Sequence, residues 1–300
     1  IRIDRWWEKG HINANFIDRI AGMSHNSVLE VLGRRYGAAL RENNVKLKVY
    51  DSPEKSDLVE PFEHCVWAKH RSLQATGTLD NMEVPARIEI DKVLGEQYCC
   101  VECGRFIQQG HESCEIETHL STPKKIENRI RGWVGIQRWD SREEYGIDLI
   151  RNGRTIDTFN KELFFHSPPD ELGRKTLEYP VDDHFGRIVG ELHLDGCQVD
   201  FMKQQFNTLY APFQEAIEYV RGKSLLPGQW EEGYVNKSPI SQLHNAYKKV
   251  RINRSKSALE NLYPGEWDPV NDRPKRISRE WEEDAKKKFR NREDGWFDDE

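Results

Sequence analysis

The alternation of apolar and polar positions is clearest between residues 132 and 221. In Tyr145-Gly-Ile-Asp-Leu-Ile-Arg-Asn-Gly-Arg-Thr-Ile156, Ile147 and Leu149 alternate with Asp148 and Ile150, as in a strand whose two faces differ in polarity. Asn152-Gly153 follows, the dipeptide that best suits a type I′ turn, because both central positions of that turn need φ > 0. The pattern predicts two antiparallel strands meeting there. Residues 132–138 and 185–195 are further strands, and the second of these, with Ile188, Gly190, Leu192 and Leu194 on one side, is expected to join the same sheet. Phe206, Leu209, Tyr210, Phe213, Ile217 and Val220 recur at helical spacing, with Pro212 in the first turn and Gly222 at the C-terminal stop.

Earlier in the chain, Ser27-Val-Leu-Glu30 matches a capping box, and Val28, Leu29, Leu32, Tyr36 and Leu40 make the stripe of the helix behind it, which ends at Asn43-Asn44. Val45, Leu47 and Val49 alternate with lysines as a half-buried strand. Pro53 and Pro61 bracket a polar loop. Ile88 and Ile90 mark another strand within 85–93. Residues 94–130 read as an insertion between neighbouring strands. After Gly222, Pro227, Trp230, Tyr234 and Pro239 mark a linker, residues 241–257 a basic, weakly amphipathic helix, and residues 278–292 a charged helical tail ending in an acidic stretch. The fold class is therefore α+β, a mixed sheet packed with helices, with one domain over 1–222 and a linker and tail over 223–300.

Composition narrows the function. The chain is 32% charged and carries a net charge of −6, which does not favour general binding to nucleic acid, although clustered basic residues remain compatible with it. No run of about eighteen apolar residues occurs, so no membrane-spanning helix and no membrane partner is expected. Ile1 is not preceded by an initiator methionine or a leader. The chain is accordingly expected to be a fragment or a processed product, with residues 1–7 as the last strand of a preceding domain.

Four of the six cysteines lie between Cys99 and Cys114. This crowding suggests a reduced, cytoplasmic metal site rather than a disulfide framework. Cys100, Cys103, His111 and Cys114 are the candidate ligands, two close pairs of soft donors for a tetrahedral zinc, with Cys99 as a spare. Four protein ligands leave no open position, so the zinc would be structural; a metal-free cysteine cluster is the alternative. Asp182, Asp183, His184, His193 and Asp195 invite a nuclease reading, and His64, Cys65 and His70 a second metal, but a polar strand face and satisfied side chains account for both sets. Lys248, Lys249, Arg251, Arg254 and Lys256 form a strip that either meets phosphates or is a solvated helix face. Trp6, Trp7, Trp133 and Trp139 are read as core residues.

The Asn-Gly hairpin, the later strand and the loop Asp200-Phe-Met-Lys-Gln-Gln-Phe206 together resemble the transducer region of GHKL ATPases (gyrase, chaperone, histidine kinase and MutL types), and in particular bacterial relatives of the microrchidia group. The resemblance spans about three quarters of the chain. It implies that Lys203 reaches the γ-phosphate of an ATP held with magnesium by a separate N-terminal domain, so that Lys203 is the expected catalytic residue. That domain is the first implied partner. A second copy of the chain, through dimer closure, and DNA, including antiviral genome defence, are the others. A helix asparagine for magnesium, an Asp-x-Gly-x-Gly loop and a glycine-rich lid are missing from these residues, so the chain alone is not expected to hydrolyse ATP. The rival expectation is a non-enzymatic adaptor that binds nucleic acid or protein through the zinc insertion and the 241–257 helix.

Overall fold

The computed structural model describes residues 11, 22–43, 45–52, 54–64, 66, 72–75, 82–107, 113–166, 175–180, 186–226, 235–252, 267–268 and 273–274. The chain is mixed α+β and divides into two compact units, one of residues 1–63 with 153–155 and one of the remainder. The expectations for residues 1–7 and for the 278–292 tail lie outside the described residues.

In the first unit, helix α1 (His25–Glu42) precedes a hairpin of β1 (Lys48–Ser52) and β2 (Lys55–Leu58). The N-cap is Ser24, whose hydroxyl accepts from the Ser27 amide at 3.1 Å. The capping box expected at Ser27 is thus displaced by a serine one position before the helix, and Ser27 lies within its first turn. The buried positions of α1 are Gly33, Gly37 and Ala38 rather than the expected stripe, and Tyr36 is exposed. A Cβ on Gly33 would lie 2.2 Å from the Glu60 carbonyl oxygen, so the helix rests on the 59–62 backbone through its small residues. Phe62 N–H donates to Gly33 O at 3.0 Å across this contact. The stretch between Pro53 and Pro61, expected as loop, supplies β2.

The second unit holds strands β3 (Ser72–Gln74) and β4 (Glu83–Pro85), then β5 (Arg87–Cys99), β6 (Phe106–Ile107), β7 (Lys124–Ser141), β8 (Gly146–Arg151) and, from Ile156 on, β9 (Arg154–Asn160). β10 (Phe165–His166) pairs with β11 (Thr176–Leu177), and β12 (Gly186–His193) leads to helices α2 (Ala211–Arg221) and α3 (Pro239–Ile252). A short pair, β13 (Trp267–Asp268) and β14 (Arg273–Pro274), follows. Six strands form one sheet in the order β6-β5-β7-β12-β8-β9. The Asn-Gly hairpin joins β8 to β9 as expected, with φ of 49° at Asn152 and 75° at Gly153. β12 enters between β7 and β8, antiparallel to the former and parallel to the latter.

Register gives the sheet two unlike faces. Ile90, Gly132, Leu192 and Leu149 line up across four strands, and so do Ile88, Val134, Gly190 and Ile147. This apolar face shares one core with Phe213, Ala216 and Val220 of α2 and Leu243, Ala246 and Tyr247 of α3. The alternate row is Glu89, Trp133, Glu191 and Asp148. On it the buried His64 ring meets Asp148 at 3.1 Å, and the Phe159 amide donates to the same carboxylate at 2.7 Å. All eight residues of β12 are buried, as befits a central strand.

One further expectation is corrected in this unit. The helical stripe from Phe206 begins too early: α2 starts at Ala211, where Pro212 stands in the first turn, and Leu209 is exposed. The helix expected over 241–257 is observed as α3, and its first half is a core element. Ile240, Leu243, His244, Asn245, Ala246 and Tyr247 of α3 are buried, and Asn245 donates to the Leu226 carbonyl at 2.9 Å. The side chains of 248–252 and residues 253–257 lie outside the description. No helix among the described residues is long and apolar enough to cross a membrane.

Candidate functional site

β5 and β7 pair from Arg87↔Gly135 to Cys99↔Lys124, with one register shift between Val93 and Gly95. Much of the presumed insertion is therefore the outer half of a long antiparallel ribbon. β12 covers β7 only from Ser141 down to Arg131, so beyond that point the ribbon runs as a pair. Its exposed face is laced by ion pairs, Arg129 with Asp91 at 2.6 Å and Lys125 with Glu96. The cysteines sit at its end.

There the chain makes a CxxC turn. Cys100 N–H donates to Arg105 O, and Gly104 N–H to Cys100 O, both at 2.8 Å. Gly104 takes φ 71°, which a residue with a Cβ rarely adopts, and this lets the chain reverse into β6 against the end of β5. Cys103 and Cys114 bring their sulfurs to 3.7 Å, and His119 Nδ1 lies 3.5 Å from Cys100 Sγ and 3.6 Å from Cys114 Sγ. All four donor atoms fall within 4.8 Å of one another. A tetrahedral ion with metal–sulfur bonds of about 2.3 Å and metal–nitrogen bonds of about 2.0–2.1 Å has edges of about 3.8 Å between sulfurs and about 3.6 Å between sulfur and nitrogen. The three distances above match those edges, so the group can hold a metal ion and its geometry is compatible with zinc.

Electrostatics favour a cation here. The backbone amides of Cys103 and Glu102, with the neighbouring thiols, outweigh desolvation and bring Cys100 down to about 7. At Cys114 the Ile116 amide pulls downward, but desolvation and the Cys103 and Cys100 sulfurs win, and its thiol is raised. Once one thiolate forms, the next resists ionisation, and a divalent cation relieves that repulsion. The second loop is tied to the first by Glu102, whose carboxylate accepts from the Ser121 amide at 2.9 Å.

Of the expected ligands, Cys100, Cys103 and Cys114 converge. His111 lies outside the described residues, and the histidine that the structure places with the three sulfurs is His119, which the sequence reading passed over. Its signal was present as Cys114-Glu-Ile-Glu-Thr-His119, a four-residue gap common between zinc ligands. Cys99 ends β5, is buried and is outside the group.

Lys203 stands at the head of a loop after β12. Val199 and Phe206 close the loop as a β-bridge, Asp200 N–H donates to Gln205 O at 2.9 Å, and Lys203 N–H donates to Asp200 O at 3.0 Å. The Asp200 carboxylate accepts from the Gln204 amide at 2.6 Å and the Gln205 amide at 3.3 Å. Lys203 itself has φ 54°. Its side chain is exposed, as are Phe201 (98%) and Met202 beside it. Phe206 anchors the far end, stacked 5.5 Å from Phe213.

Among the described residues, His193, Asp195 and His64 belong to no group that could hold a metal ion. His193 is buried, and Asp195 accepts from the Asn152 amide at 2.7 Å and lies 3.5 Å from Arg131. Asp182, Asp183, His184, Cys65 and His70 lie outside the described residues, as do Trp6, Trp7 and the side chain of Trp139. Trp133 is buried, with the Arg87 guanidinium 4.3 Å from its ring centre. Comparison of the chain with protein-family models, with curated proteins and with solved structures finds no match.

Proposed function

We propose that this chain is the coupling, or transducer, region of a GHKL-type ATPase. In this reading Lys203 neutralises charge on the γ-phosphate of an ATP that is held, with magnesium, by a separate nucleotide-binding domain. The observation that carries it is the form of the Lys203 loop. A lysine in a left-handed conformation costs about 1–2 kcal/mol, and such strain persists where the surroundings impose it and a function uses it. Here Asp200 imposes it, and the result is an exposed cation at a loop tip directly after the central strand. A cation so placed stabilises charge through position rather than chemistry of its own.

The metal is zinc in a structural role. Three thiolates and an imidazole complete its coordination and leave no position for substrate. Thiols kept reduced for a metal suit a cytoplasmic setting. Nucleotide-driven closure of two copies, with DNA as the object acted on in genome defence, belongs to the same reading.

The test is made in the protein together with its nucleotide-binding domain. Lys203→Ala should lower ATP turnover at least about 100-fold, the scale seen when a preorganised charge-stabilising group is removed, while nucleotide binding stays intact. Unchanged turnover removes Lys203 from the mechanism.

A second reading, a zinc-bearing binding adaptor, is favoured by one observation. Leu120 is 90% exposed and Val101 is 53% exposed, both on the loops that carry the metal ligands. A salt-dependent shift of DNA by this chain alone would favour the nucleic-acid form of that reading.

A further inference from the structure

The metal-tipped ribbon and the lysine loop are joined by a set of contacts that neither site requires for itself. The inner face of the ribbon, between the core and the CxxC turn, carries the opposed pairs Gln97↔Ile126 and Gly95↔Asn128. Gln97 Nε2 donates to the Gly196 carbonyl at 3.4 Å, just ahead of the lysine loop. Gln97 Oε1 accepts from the Tyr210 hydroxyl, just behind the loop. Asn128 Nδ2 donates to Pro212 O and to the Glu215 carboxylate, each at 3.4 Å, in the first turn and a half of α2. Gln97 thus holds both ends of the loop, and Asn128, two residues further along the facing strand, holds the helix into which the loop runs.

The metal module adds the third side. Folding of the CxxC turn returns the chain into β6, which pairs Phe106 with Cys99. The Phe106 ring then lies 6.0 Å from that of Tyr210. Tyr210 is therefore held through its hydroxyl by β5 and through its ring by β6, and the chain reaches β6 through the turn between Cys99 and Phe106. A two-residue strand such as β6 does not hold itself to a sheet edge in water, and it depends on what closes the turn.

We infer that the metal centre is a brace for the Lys203 loop, and that Gln97 and Tyr210 are positioning residues which transmit it. Metal binding closes the turn, the turn seats Phe106 against Tyr210, and Gln97 ties Tyr210 and Gly196 together across the base of the loop. With the metal removed, the loop keeps its internal hydrogen bonds to Asp200 but loses the frame that directs it. The inference deepens the coupling function proposed above and rests on it for its purpose, although the brace itself is a physical property that holds or fails independently of nucleotide chemistry.

The experiment is amide hydrogen exchange on the full chain in three forms: metal-loaded, chelator-stripped, and Gln97→Leu loaded with zinc. Loss of one ordinary hydrogen bond from the frame changes a local opening equilibrium by about tenfold. Exchange across 196–210 should therefore rise about tenfold on stripping, with the amides of β7 and β12 unchanged, and re-addition of zinc should restore it. Gln97→Leu should show the same acceleration while still binding one zinc per chain, a separation that a merely structural metal site would not produce. Should stripping unfold the chain, Phe106→Ala loaded with zinc replaces that arm: it removes the ring through which the turn meets Tyr210 and should accelerate 196–210 likewise, and unchanged exchange there overturns the brace. Acceleration confined to 100–123, or exchange in 196–210 unaffected by Gln97→Leu, would overturn the brace. Neither result bears on whether Lys203→Ala abolishes ATP turnover, so the two ideas fail separately.

Discussion

At the scale of single residues, conformation and charge lead to separate tests. Lys203 occupies a region of φ that a side chain disfavours and glycine does not. Lys203→Gly should therefore be no less stable than Lys203→Ala, with both within about 1 kcal/mol of the parent, as measured by chemical denaturation. The buried pair of Arg221 and Glu178 tests charge. Their side chains are 8% and 4% exposed, and Arg221 also donates to the carbonyls of Phe165, Gly222 and Ser224. Burial pushes the Glu178 carboxyl up against the pull of Arg221 and of the Leu226 amide, and burial likewise pushes Arg221 down. Arg221→Met would strand the carboxylate and cost about 3–5 kcal/mol at pH 7. With the folded pKa of Glu178 above its unfolded value, the native state binds the extra proton, so stability falls as pH rises and the deficit should shrink between pH 7 and pH 5. A denaturation series across that range reads the slope, and a deficit that grows on acidification contradicts the assignment.

At the scale of elements, the two turns that reverse the chain are the informative ones. Gly153 has φ 75°, and a Cβ there would lie 3.0 Å from the Ala39 Cβ. A β-branched residue adds both strain and a clash, so Gly153→Val should destabilise the fold by about 2 kcal/mol or more. Differential scanning calorimetry would show this as a lowered Tm. The CxxC turn makes a chemical prediction. His119→Ala should abolish tight binding of one metal per chain, while His111→Ala should leave the metal content as it was, both determined by elemental analysis of purified protein. The choice between these histidines could not be read locally, because both follow the CxxC within reach of Cys114. The path of the second loop, pinned by Glu102 to Ser121, brings His119 Nδ1 to the sulfurs. Helix α1 shows a similar limit. Its leucines are half-buried and Tyr36 is exposed, and the closest contact is made by Gly33 and Gly37, since a backbone can approach closely only there.

At the scale of the whole molecule, the order β6-β5-β7-β12-β8-β9 explains how a metal module and a cationic loop come to share a frame. β12 ends beside the point where the β5–β7 ribbon leaves the sheet, so the segment that follows β12 runs along that ribbon. A chain in which β12 added at the far edge, beyond β9, would carry the same cysteines and the same lysine with no contact between them. The position of α3 belongs to this scale too: its first half packs against β4, β7, β12 and α2.

What the sequence determined unaided were the features encoded within a few adjacent residues. Asn152-Gly153 demanded a tight β-turn, the alternation at 188–194 a strand, Pro212 a helix start, and Cys100-Val-Glu-Cys103-Gly104 a turn that presents two sulfurs. Each follows from the φ preferences and side-chain direction of its own segment. Tertiary structure alone decided where β12 inserts, that it runs parallel to β8, which histidine joins the sulfurs, and that Gln97 spans the base of the lysine loop. Those outcomes depend on contacts between residues far apart in the chain, and such contacts are selected by sheet register and burial, which no short stretch contains.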